Sequence, residues 1–564
     1  MCGISTHIAQ TSHLSYISLH EIIIFHFVIK SSDSVWFVKS EAFFEWLIAK
    51  YSHSLKAFMR YRGVALIIMI ISIGIIFIVG KQIPSELAPL EDKGRFRIST
   101  TAPEGTSYDL MDEYMKNLTV VVDTLSEKDA IISFTSPGFG SSGAANSGFI
   151  RVRLKHHKLR QKTQQQLVNE VNTVLRQFNF ARSYIIQDPT IGGRRSGLPV
   201  KFVIQAPGFE KLREAIPVFM EKAESNPAFS VIDLNLKFNK PELVINIDRD
   251  RARALGVSVR DIAQTLQLFY SGQRFGYLIR DGKQYQVIGQ AFRLDRDEPI
   301  DLSSLFVRNS SGDLIQLDNL VNMTNRSNPP QLYRFNRYAS ATVSADLADG
   351  VALGTGIEEM RKIGTEVLDE SFATALDGTS KEFEESSNSL LFAFVFALVL
   401  IYLVLSAQFE SFIDPLVIML TVPLAIAGAV LSLWILGHTF NIFSQIGIIV
   451  LIGIVTKNGI LIVEFANQRK DQGLKTMDAV LDAATQRFRP ILMTSLATVL
   501  GALPIALSIG AASQSRTPLG VVIIGGLLFS LVLTLYVIPS LYTYMSRKRT
   551  VAEAGKEAHE LQIA

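Results

Sequence analysis

The chain has 564 residues, 48% of them hydrophobic and 19% charged, with a formal net charge of +3. A chain this long and this apolar implies membrane segments joined to a large soluble portion, and its near-balanced charge excludes nucleic acid as the expected partner. Cys2 is the single cysteine, which excludes an intrachain disulfide, and His7, His13, His20 and His26 lack metal-ligand spacing.

In chain order, residues 1–40 match no element. The apolar run 22–29 is too short to span and contains His26, and no small-residue cleavage site marks it as a signal peptide. Residues 41–62 are amphipathic, with Phe43, Phe44, Leu47, Ile48, Leu55 and Phe58 on one side and Lys50, Lys56, Arg60 and Arg62 supplying charge. This predicts an interfacial helix on the cytoplasmic membrane surface. The uncharged run 64–80 is the first span.

The next soluble stretch, 81–387, alternates β-branched runs with amphipathic ones. Strands are predicted at 96–101, 131–135, 149–154 and 184–187, and helices at 107–125 and 163–178, in the β-α-β-β-α-β order of a split βαβ sandwich. A second unit opens with strand 200–205, helix 210–224 and strands 230–236 and 242–247. It finishes only at strand 341–345 and helix 356–368, so 249–328 reads as a β-rich insertion. Asp281-Gly282 and Ser311-Gly312 mark tight turns within it. RDRARALGVSVRDIAQTL (249–266) has helix-turn-helix spacing with Gly256 in the turn, but a segment tethered outside the cytosol meets no DNA. The loop GFGSSGAANSG (138–148) lacks a following Gly-Lys-Ser/Thr and is a poor phosphate cradle; a substrate-contacting loop is the better expectation.

Five more apolar runs follow, at 389–406, 415–436, 441–466, 490–509 and 518–545, making six spans. Lys/Arg clusters precede the first span, lie between the fourth and fifth, and follow the last. With alternate crossings all three fall on one side, placing both termini in the cytoplasm and the soluble block outside it. Lys457 stands inside the fourth of the six spans, 441–466. At 1.5 Å per residue it is roughly 14 Å from the nearer end, where a cation costs about 2.5–3.5 kcal/mol. Glu464, seven residues on, is too far for a direct pair, and the other spans hold no ionised residue at depth. An unpaired ammonium in an apolar bundle is thus expected, with its carboxylate outside these six spans.

AQFESFIDPLVIMLTVPLAIAGA (407–429), KNGILIVEFA (457–466), RFRPILMTSLATVLGALPIALSIG (487–510) and PSELAPLEDKGRF (84–96) resemble the resistance-nodulation-division family in its multidrug (hydrophobe/amphiphile) efflux branch. The resemblance runs over about 41–549 and matches the C-terminal half of such a permease. It implies an α+β membrane protein with six transmembrane helices, porter subdomains at 81–182 and at 183–248 with 329–387, a docking subdomain at 249–328 and a cytoplasmic tail at 546–564. It further implies a proton relay through Lys457, Arg487 and Thr494, with two aspartates in an absent N-terminal half, and proton antiport with no cofactor. Phe134 and Phe139 fit the family's substrate pocket, whereas Ser141 and Arg151 stand where aromatics are common and make it more polar. The lysine argues for organic rather than metal substrates. The implied partners are the N-terminal half, a periplasmic adaptor, an outer-membrane channel and a homotrimeric assembly in the bacterial inner membrane. A non-transporting remnant and a membrane-anchored binding module are the competing readings; no nucleophile-base constellation supports an enzyme.

Overall fold

The computed structural model describes residues 35–137, 144–192, 197–292, 295–296, 304–508 and 514–545. Helix α1 (Val35–Arg60) leads through a two-residue turn into the apolar α2 (Gly63–Gly80). Tyr51, Leu55 and Met59, spaced one turn apart, turn the inner face of α1 into the membrane core. The Tyr51 ring stacks 4.5 Å from Phe488, and its hydroxyl donates to the Leu535 carbonyl at 2.6 Å. Arg489 grips Glu41 with two bonds of 2.8 and 3.0 Å. On the other side Phe43 and Trp46 are both 55% exposed, with Lys50 Nζ 5.0 Å from the Trp46 ring. Such an aromatic-cationic face suits a headgroup layer.

The first α/β unit runs β1 (Arg95–Thr101), α3 (Tyr108–Asp123), β2 (Lys128–Thr135), β3 (Ser147–Leu154), α4 (Gln164–Leu175) and β4 (Arg182–Gln187). Its strands form one antiparallel sheet of order β2-β3-β1-β4. Both helices cover one face, where Met111, Met115, Leu118, Leu167 and Val171 bury Phe96, Ile98, Ile150 and Val152. A capping box between Thr163 and Gln166 starts α4. Asp92 ties that start to β1: it accepts from Gln164 N at 2.9 Å and pairs with Arg160 at 2.7 Å.

The second unit comprises β5 (Val200–Ala206), α5 (Phe209–Ser225), β6 (Phe229–Leu234) and β7 (Lys240–Ile247). Within the excursion that follows lie α6 (Arg249–Ala254), α7 (Val259–Leu266), β8 (Gln273–Arg280), β9 (Lys283–Gly289), β10 (Phe306–Arg308), β11 (Leu314–Gln316) and β12 (Val321–Asn328). The chain returns through β13 (Tyr333–Phe335), β14 (Tyr338–Leu347), α8 (Leu353–Val367) and β15 (Ala373–Leu376). A five-stranded sheet, β13-β14-β5-β15 with β6 also on β14, packs beneath α5 and α8. The antiparallel ribbon of β7 and β12 carries the excursion away from it. Asp281 and Gly282 take φ of +52° and +71° at the β8–β9 turn, the left-handed pair that a two-residue hairpin requires. The α6–α7 pair turns at Gly256 (φ +71°) and spends its apolar side, Ala252, Val257 and Ile262, on a small core with Val307 and Leu317.

The chain then forms α9 (Gly378–Phe409), α10 (Ile413–Met419), α11 (Thr421–Ile435), α12 (Ile442–Asp471), α13 (Thr476–Ala506) and α14 (Thr517–Met545). With α10 and α11 counted as one span, six helices are long and apolar enough to cross a membrane among the described residues. Two differ from expectation at their starts. Charged turns with Lys381, Glu382 and Glu384 precede the apolar part of α9, and α13 runs through Pro490 rather than starting there. Helix α14 is central. Glycines let it approach α11 and α12 closely: a Cβ at Gly428 would strike Phe529, one at Gly525 the Ser432 hydroxyl, and one at Gly526 Leu451.

The linker after α2 clasps the two parts together. Ser85 and Phe440 form a parallel bridge, and Phe440 N donates to Pro84 O at 2.8 Å, Glu86 N to Phe440 O at 3.1 Å and Ile442 N to Leu87 O at 3.1 Å. Gly354 N, in the first turn of α8, donates to Ser85 O at 2.9 Å. Thr439 donates to the Glu86 carboxylate and accepts from Asn441, which caps α12.

Candidate functional site

Helix α12 decides the first site. Its small residues choose which side packs inward: at Gly447 a Cβ would lie 3.1 Å from Val522, and at Gly459 3.2 Å from Ile418. That seam leaves Ile446, Val450, Gly453, Lys457, Glu464 and Gln468 as one exposed stripe, spaced by three, four or seven residues. The expectation of an ammonium inside this chain's bundle is therefore corrected: Lys457 lies on its outer surface, because the glycine seam claims the opposite side. Lys457 makes no hydrogen bond or ion pair among the described residues. Glu464 is met by Gln468 at 3.5 Å.

Helix α13 lies alongside, joined by a short turn. Asn458 donates to Ser495 at 3.3 Å, so Lys457 and Thr494 stand beside a cross-helix contact at one level of the bundle. Thr494 is exposed and donates to the carbonyls of Pro490 at 2.9 Å and Ile491 at 3.2 Å. Arg487 sits two turns away, roughly 10 Å along the helix. Its guanidinium stacks 4.6 Å from the Phe465 ring, and Arg469 lies 5.0 Å from that ring. Arg469 has Asp482 at 2.7 Å, whereas the buried Arg487 Nε has no hydrogen-bond partner among the described residues. The structure thus brings Lys457 and Thr494 to one level and places Arg487 at a second.

The other candidates lie on the first α/β unit. Phe134 on β2 faces Phe149 on β3, their rings 4.8 Å apart, with Phe134 36% exposed. Arg151 is exposed on the same outward face, opposite Ile132 on one side and Arg97 on the other. Phe139 and Ser141 lie outside the described residues. Phe149, Arg97 and Tyr184 were not singled out from the sequence, although the alternation in SGFIRVRL already separates outward Phe149, Arg151 and Arg153 from inward Ile150 and Val152. Tyr184 stands opposite Ser99 on this face. Its phenol is pushed up by burial first and then by Asp233, against opposing pulls from Ser99 and Arg97.

Two cavities flank these elements. A polar one of about 850 Å³ lies between the two α/β units, lined by residues including Glu104, Asn172, Arg182, Tyr184 and Asp346. An apolar one of about 830 Å³ opens where α2, α8 and α9 meet, lined by Ile76, Phe77, Phe383, Leu391 and Phe394, with the Arg361–Glu384 pair at 2.5 Å in its wall. No group of three or more His, Cys, Asp or Glu suited to a metal ion occurs among the described residues.

Compared with known protein families, residues 24–546 match the AcrB/AcrD/AcrF family. An uncharacterized transporter of Haemophilus influenzae is 32% identical over 526 residues, covering 90% of this chain and 50% of that protein. The chain thus spans about half the length of the curated relative it matches. A match across nearly all described residues, six apolar helices included, establishes that the chain belongs to the AcrB/AcrD/AcrF family of resistance-nodulation-division transporters.

Proposed function

We propose that this chain forms the C-terminal half of a proton-driven permease that exports organic compounds across the bacterial inner membrane. One observation carries the reading: Lys457 stands on an open helix stripe with no ionic partner among the described residues. A cation at that depth needs a carboxylate, and a chain half the length of its relative leaves room for a second helix bundle to supply it. In that assembly the counterpart's acidic groups bridge Lys457 while ionised. Protonation removes the bridge, the helices repack, and Thr494 and Arg487 pass or stabilise the charge. The β-α-β-β-α-β order of the first unit supports a split βαβ porter subdomain, 81–182. The sheet of 183–248 with 329–387 supports a second, and the excursion 249–328 a docking subdomain. Phe134 and Arg151 line the substrate route, to which Phe139 is assigned from the sequence resemblance alone, and the apolar cavity beside α2 and α9 suits lipophilic cargo. Both termini are cytoplasmic, the α/β units periplasmic, and the complete pump is a trimer that meets an adaptor and an outer-membrane channel.

The test is expression in an efflux-deficient bacterium. The chain alone leaves drug susceptibility at the vector level. Supplied with the complementary half, it confers resistance that a protonophore abolishes, and Lys457→Met removes that resistance at equal expression. In detergent, Lys457→Met raises the melting temperature of the chain alone, because an unpaired cation is gone, and lowers that of the complex. Proton-dependent resistance from the chain alone, or from the complemented Lys457→Met variant, sinks the reading.

A further inference from the structure

The face of the first sheet turned away from its helices carries four arginines in two directly opposed couples. The register sets Arg95 against Arg153 and Arg97 against Arg151. Like charges directly opposite one another across an antiparallel pair work against the sheet, so each couple calls for compensation. The outer couple has it: Arg95 Nε is 2.7 Å from Asp188, and Arg153 Nε is 2.6 Å from Asp129. The inner couple does not. Among the described residues neither Arg97 nor Arg151 has a carboxylate partner. Asp233, whose charge reaches Tyr184 on the same face, is engaged by Lys237 at 3.3 Å.

Aromatic groups border the inner couple. Arg97 Cζ lies 5.9 Å from the Phe149 ring, Phe149 stacks on Phe134, and Tyr184 flanks the far side of β1. Two guanidiniums without counter-ions offer forked donors to a carboxylate or sulfonate, and the rings offer a surface for an aromatic body. The same two charges repel organic cations. We propose that this face selects aromatic organic anions, aryl carboxylates and sulfonates, with Arg97 and Arg151 holding the anionic group and Phe134 and Phe149 the ring. The bound anion supplies the compensation that the inner couple lacks. This assignment rests on the reading of the face as part of a transport route.

Calorimetric titration of the full chain in lipid nanodiscs with 2-naphthoate and the neutral 2-naphthamide tests it. Naphthoate binds at least tenfold more tightly, a difference of about 1.4 kcal/mol. Arg97→Gln and Arg151→Gln each bring naphthoate down to the amide's affinity and leave the amide unchanged, whereas Arg95→Gln at the ion-paired couple preserves the ratio. Neither inner variant lowers the melting temperature, since each removes one of two opposed charges. Equal affinities for the two probes, no binding of naphthoate, naphthoate binding indifferent to both inner substitutions, or a loss of stability in both inner variants would each overturn the proposal. The titration needs no proton gradient. Loss of the anion preference in a chain that still supports export leaves the transport reading standing, and a preserved preference without export leaves a binding face without a pump.

Discussion

Asp92 shows how one side chain in a short motif can hold a whole unit. Burial alone would push its carboxyl up, but the Arg160 guanidinium and the N–H groups of Gln164 and Gly94 together hold it below the ordinary 3.8. Its folded-state pKa being lowered, the stabilisation is fully present above that ordinary value and is lost as pH falls through the folded one. The Arg160 side chain is only 2% exposed, and its Nε and one terminal nitrogen already lack partners. Removing Asp92's charge strands a buried cation, a loss of about 3 kcal/mol at the low end for a buried pair. Asp92→Asn therefore speeds hydrogen exchange in 95–101 and 164–175 at pH 7, and the gap from wild type narrows at pH 3. An undiminished gap at pH 3 would show that shape, not charge, is what Asp92 contributes.

At the scale of elements, the membrane bundle depends on close approach of helices. Gly428→Val drives a side chain into Phe529 and the Gly525 carbonyl, and overpacking of this kind costs about 1–3 kcal/mol. Gly501 has nothing within 4 Å of a built Cβ, so Gly501→Ala keeps or raises the melting temperature in detergent while Gly428→Val lowers it. The clasp between the α/β units and α12 behaves differently. Burial pushes the Glu86 carboxyl up, and the bond from Thr439 only partly offsets this. A raised folded pKa means stability is present at low pH and lost as pH rises through it. Glu86→Gln keeps an acceptor for Thr439 and removes the titration. Exchange at the Ile442 and Gly354 amides then matches wild type at acidic pH and is slower than wild type at alkaline pH. Equal exchange at both pH values would show that the carboxylate does not titrate within the clasp.

At the scale of the whole molecule, two exposed surfaces stand out among the described residues. One is the α12 stripe bearing Lys457. The other is the β8–β9 hairpin, which exposes Phe275, Tyr277 and Ile279 on one strand and Tyr285, Val287 and Ile288 on the other. A two-stranded hairpin is marginal by itself, and apolar residues on both faces suit burial between partners. In the assembly with a complementary half proposed above, amide exchange in residues 273–289 slows at least tenfold. Unchanged exchange in a complex that forms would show that the hairpin faces solvent in the assembled protein.

Local pattern determined a great deal of this protein. Long apolar runs mark the six membrane-competent helices among the described residues because bilayer length is a count along the chain. Strand and helix periods placed most elements of the α/β block, and Asp281-Gly282 specified its hairpin through backbone sterics alone. The charge deficit at Lys457 was equally legible, since it needs only an inventory of ionised residues. Strand β15, four residues long, is not legible in the sequence because its short run ATAL has no period to read. Tertiary structure decided what lies across from what. Only helix packing, driven by glycines at 447 and 459, turned Lys457 outward rather than in. Only strand register set Arg97 against Arg151, residues more than fifty positions apart whose shared repulsion is invisible in either strand by itself.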